Sequence, residues 1–79
     1  MLDGNKIRTI KEAIETATKL PVKIWEAPGA GKYLLRFYVG SGYAEMRNAE
    51  TININNIKSA QFMDVKNALV NLNEYKVTR

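Results

Sequence analysis

Glu26-Ala27-Pro28-Gly29-Ala30-Gly31-Lys32 is the stretch whose residue types come nearest to chemistry. Its spacing approaches the phosphate-holding motif G-x-x-x-x-G-K-[ST], in which backbone N–H groups wrap an anion, lysine meets the β- and γ-phosphates, and a hydroxyl holds magnesium. The match fails at both ends. Glu26 stands where the first glycine belongs, adding a side chain and a negative charge, and Tyr33 stands where the serine or threonine belongs. Such a loop must also feed a helix N-terminus, whose dipole helps hold the anion. Here Lys32 to Val39 alternates as a strand does, with Tyr33, Leu35, Phe37 and Val39 on one side. A connecting β-loop is expected; passive contact of Lys32 and the glycine-rich backbone with an anion is the alternative.

No other constellation offers catalysis. The chain has no cysteine and no histidine, which removes thiolate metal sites, the commonest metal ligand and the commonest general base. Ser41 lies between Gly40 and Gly42, a position that suits a turn better than a nucleophile. Paired-carboxylate chemistry needs two acids across a cleft, whereas the acids here have cationic neighbours. Glu12 and Glu15 lie four residues from Arg8, Lys11 and Lys19 on a helix, and Glu45 faces Arg36 in the favoured hairpin register. The expectation is a non-enzymatic chain with no cofactor and no metal.

The elements that would position these residues follow from period and punctuation. With 79 residues, a chain buries roughly 60% of the surface its unfolded form exposes, so one domain over residues 1–79 is expected. Ile7, Ile10, Ile14 and Ala17 recur at helical steps, predicting a helix from Asn5 to about Leu20, capped by Asp3 or Asn5 and stopped by Pro21. Val22 to Glu26 and Lys32 to Val39 alternate as strands. For the next reversal, a two-residue turn at Gly40-Ser41 sets Phe37 against Ala44, Leu35 against Met46 and Arg36 against Glu45. A turn at Ser41-Gly42 would oppose Arg36 and Arg47, a repulsive pair. Glycine first in the turn fits type II′. Asn48-Ala49 reads as a bend and Thr51 to Asn55 as a strand with Ile52 and Ile54 inward. Asn56 or Ser59 is expected to cap a last helix carrying Phe62, Val65, Leu69 and Leu72 to about Tyr75. Lys76 to Arg79 is expected to be loose or a short extension. The fold class is a two-layer α+β domain, a mainly antiparallel four-stranded sheet with an N-terminal and a C-terminal helix, in the order α-β-β-β-β-α.

No apolar run approaches the ~18 residues of a membrane span, and Met1-Leu2-Asp3-Gly4-Asn5 carries an acid where a signal peptide is basic. A cytoplasmic location is the expectation.

If both helices cover the face holding Val22, Ile24, Tyr33, Leu35, Phe37, Ala44, Met46, Ile52 and Ile54, the opposite face is open. It carries Leu34, Glu45, Thr51, Asn53 and Asn55, and the candidate partner-binding set Lys23, Trp25, Lys32, Arg36, Tyr38, Tyr43 and Arg47. Aromatic residues with arginine are enriched at protein interfaces. The expectation is a small regulatory module gripping a heterologous protein, as phage-type inhibitors and adaptors do. The alternative is a single-stranded nucleic acid stacking on the same rings, favoured by the net charge of +4. A homodimer interface or cover by one helix would account for the same residues. The segment from Lys32 to Leu72, hairpin, strand and amphipathic helix, loosely resembles the small single-stranded-DNA-binding transcription coactivators. That resemblance spans about half the chain and implies the nucleic-acid alternative; the preceding helix departs from that family's arrangement.

Overall fold

The structure, a computed structural model, describes residues 4–27 and 34–78. Most of the glycine-rich loop, including Lys32, lies outside them, as do Tyr33 and Asp3. The first helix, α1 (Gly4–Thr18), buries Ile10 and Ile14. It stops where Lys19 turns to a positive φ of 57°, two residues before Pro21. The Thr18 hydroxyl donates to the Ile14 carbonyl at 2.8 Å and accepts from the Leu20 N–H at 3.3 Å. Asn5 lies within the helix and accepts from Arg8 at 3.1 Å instead of capping the start.

The strands are β1 (Val22–Glu26), β2 (Leu35–Val39), β3 (Gly42–Met46), β4 (Thr51–Asn55) and β5 (Lys76–Thr78), with α2 (Ser59–Val70) between the last two. They form one sheet in sequence order. The β2–β3 hairpin has the register predicted from side-chain matching: Phe37 opposite Ala44, Leu35 opposite Met46 and Arg36 opposite Glu45. Gly40 takes a φ of 56°, and Ser41 is not among the positive-φ residues, the sign pattern of a type II′ turn.

At the next bend, the Asn48 side-chain oxygen accepts from the N–H groups of both Glu50 and Thr51 at 2.8 Å, an Asx-type turn that delivers the chain into β4. Replacing Asn48 with alanine is expected to cost about 1 kcal/mol. Thermal unfolding followed by circular dichroism should show the loss, with Asn48→Asp retaining most of the stability.

The sheet has five strands where four were expected. The helix α2 ends at Val70, short of Tyr75, because Asn71 to Asn73 turn and Asn73 enters the left-handed region at φ 62°. The chain then runs back beside β4, with the Lys76 N–H donating to the Glu50 carbonyl at 2.7 Å, and β5 pairs parallel to β4. A parallel pair needs a long crossover, and α2 supplies it. Neither expected cap of α2 acts as one. The N-cap is Lys58, with no side-chain bond, while Asn56 uses a φ of 57° to turn the chain out of β4.

Both helices contribute to one core on one side of the sheet: Ile10, Ile14, Val65 and Leu69 meet Val22, Leu35, Phe37, Val39, Ala44, Met46, Ile52 and Ile54. Ile24 shares this side but is 38% exposed. It belongs to the edge strand β1, and period two decides which side a residue takes without deciding whether a helix reaches over it.

Candidate functional site

With both helices on one side, no described element covers the other side of the sheet, and cover by a helix no longer accounts for its residues. Directly opposed residues in a ladder share a side, so the pairings place Trp25, Arg36, Glu45, Asn53 and Thr78 in one row across all five strands. Beside it runs a second row of Lys23, Tyr38, Tyr43 and Asn55.

Arg36 is the centre of the face. The two-residue turn closes on Val39 and Gly42 as a hydrogen-bonded pair, so alternation makes Arg36 and Glu45 a non-hydrogen-bonded pair, whose side chains stand closest. The Arg36 Nε donates to Glu45 Oε2 at 2.7 Å and its NH1 donates to the Tyr38 hydroxyl at 2.9 Å. Its guanidinium carbon lies 5.5 Å from the Trp25 ring centroid and 4.6 Å from that of Tyr43, within cation–π range of both. The bonds to Tyr38 and Glu45 raise the Arg36 pKa above its already high ordinary value, which leaves the group charged at any accessible pH.

Glu45 is only 5% exposed although it stands on an open sheet face. Its second oxygen accepts from Arg47 Nε at 3.0 Å, so one buried carboxylate holds two guanidinium groups, as a buried charge requires. Tyr38 and Tyr43 meet in a tilted pair with centroids 5.4 Å apart. Trp25 and Tyr38 remain 45% and 37% exposed, although Arg36 lies over the indole ring and bonds the Tyr38 hydroxyl. The Asn53 side-chain oxygen is buried without a hydrogen-bond partner among the described residues.

Of the expected binding residues, Trp25, Arg36, Tyr38 and Tyr43 form one connected cluster, Lys23 lies beside Tyr38, Arg47 joins through Glu45, and Lys32 lies outside the described residues. Lys76 and Thr78 also reach this face through β5. A three-residue strand is too short for alternation to announce it. The arrangement offers a connected aromatic–guanidinium cluster on the open face. Among the described residues no cluster of histidine, cysteine or carboxylates could hold a metal, and no helix is long and apolar enough to cross a membrane. Compared with known proteins, the chain matches no family model, no curated protein and no solved structure.

Proposed function

We propose that this chain is a non-catalytic binding module that grips another protein through the Trp25/Arg36/Tyr38/Tyr43 face, acting in the cytoplasm as a small inhibitor or adaptor. The observation that carries the reading is the state of Arg36. It shares the buried carboxylate of Glu45 with Arg47, and its guanidinium carbon lies within cation–π range of two rings. A guanidinium so engaged serves poorly as a free phosphate anchor and well as part of a pre-organised plate. Tryptophan, tyrosine and arginine dominate the energetic centres of protein interfaces, and holding them in place before association reduces the ordering entropy lost on binding. Lys23, Arg47 and Lys76 surround this centre, which favours a partner with an apolar projection ringed by acids.

In the native host, a tagged chain should capture one stoichiometric partner. Trp25→Ala and Tyr38→Ala should each weaken that complex by about 30-fold or more, measured by calorimetry, whereas Met63→Ala, on the exposed side of α2, should not. Equal capture by all variants would remove the reading. Tight binding to single-stranded oligonucleotides that collapses with added salt would replace it with the nucleic-acid alternative.

A further inference from the structure

The outer edge of β1 has main-chain hydrogen-bonding groups that, apart from the Val22 N–H, no described residue uses. The Ala27 N–H donates to the Leu34 carbonyl at 3.1 Å, so alternation along the ladder points the backbone of residues 23, 25 and 27 at β2 and that of 22, 24 and 26 outward. The Val22 N–H confirms the direction by donating to Glu15 Oε2 at 3.1 Å, away from β2. Natural edge strands are blunted by proline, a bulge, an inward-pointing charge or a covering element. Val22–Glu26 has neither proline nor bulge; its lysine lies on the open face, and its one helix-side charge, Glu26, is exposed at the last residue of the strand. On the helix side it shows Ile24, which is 38% exposed.

We infer that this edge pairs antiparallel with β1 of a second copy of the chain, about a two-fold axis through Ile24. The outward-facing groups allow few registers, and side-chain matching selects among them. Centring on Lys23 opposes two lysines. Centring on Trp25 also sets an aliphatic side chain, Ile24, against Glu26, and it leaves Val22 beyond the end of the second copy's β1. Centring on Ile24 uses all five residues: Ile24 meets its own counterpart, Val22 meets Glu26, and Lys23 meets Trp25, a cation over an indole. Four main-chain bonds follow, a reciprocal pair between the two Ile24 residues and a Glu26 N–H to Val22 carbonyl bond at each end. The Val22 N–H stays with Glu15. The two exposed isoleucines cover each other, and the interface is closed and isologous. It produces one ten-stranded sheet whose two open faces lie side by side. It rests on the edge of β1 and does not depend on the partner proposed for the open face.

The chain has no cysteine, so a single introduced thiol reports the register. Hydrogen-bonded antiparallel residues have Cα atoms about 5.5 Å apart, within disulfide range. Ile24→Cys should therefore form a disulfide-linked dimer in an oxidised glutathione buffer, and Glu26→Cys should not. In sedimentation equilibrium the unaltered chain should be a dimer, and Ile24→Lys should weaken it by at least about 100-fold with its circular dichroism spectrum unchanged. Tyr38→Ala should remain dimeric while losing the open-face partner, so the two readings fail separately. A monomer at high micromolar concentration overturns the inference, as does equal cross-linking of both cysteine variants. A dimer lost in Tyr38→Ala but kept in Ile24→Lys also overturns it, by placing the second copy on the open face.

Discussion

Gly42→Ala should lower the stability of this domain by about 3 kcal/mol or more, although it adds one methyl group in a strand. A Cβ built on Gly42 would overlap backbone atoms of Asn55, Asn56 and Ile57, and backbone cannot move aside as a flexible side chain can. The overlap arises because Asn56, at φ 57°, turns the chain out of β4 and across Gly42 toward α2, where the Ser41 hydroxyl donates to the Asn56 carbonyl at 3.1 Å. A methyl group must therefore lift the β4–α2 connection, and with it Ile57 and the start of α2, off the sheet. A domain of this length has a net stability of only about 4 to 12 kcal/mol, so the variant should unfold at clearly lower urea with an unchanged slope. Gly40→Ala is the instructive comparison. Its Cβ would meet only side-chain atoms, Leu20 Cδ1 at 3.5 Å and Gln61 Oε1 at 3.6 Å, and the damage there comes from the positive φ alone. If Gly42→Ala were no worse than Gly40→Ala, close backbone approach would not be the reason for the glycine.

That contrast shows what the sequence discloses and what it withholds. Turn chemistry is local, so Gly40 and the hairpin register can be read directly: opposing Arg36 to Glu45 is favourable and opposing it to Arg47 is not. The open aromatic–basic face follows from the same alternation once both helices share a side. Gly42 looks like a spare residue of the same turn, because the segment that crosses it lies more than ten residues downstream. A glycine left over after the turn has been satisfied is the signal available, since glycine inside a strand often marks close approach of another backbone. Asn56 suits a helix cap and a left-handed turn equally well in sequence, and only the crossing path selects the turn. The exposure of Ile24 and the pairing of Lys76 to Thr78 depend on where helices end and what they reach.

Glu45→Ala should cost about 2 kcal/mol and should also weaken the open-face complex, although Glu45 itself is almost wholly buried. The carboxylate accepts from two guanidinium groups. The Arg47 side chain, 74% exposed, can turn to water when its partner is lost. Arg36 is held by strand pairing and by two rings, so its Nε must find a substitute in a confined place. Loss of stability alone would not separate a structural anchor from a residue that shapes the binding face. Replacing both members, Arg36→Met with Glu45→Leu, does so. Buried ion pairs exchanged for apolar residues of similar volume often lose little stability, so the double variant should recover most of what Glu45→Ala loses, read by urea unfolding. Partner binding should not recover, because the guanidinium between Trp25 and Tyr43 is gone. Recovery of both would make the Arg36–Glu45 pair a feature of folding alone and leave the exposed rings to bind by themselves. Recovery of stability without binding would show that this buried carboxylate serves to hold the Arg36 guanidinium in place between Trp25 and Tyr43 for its partner.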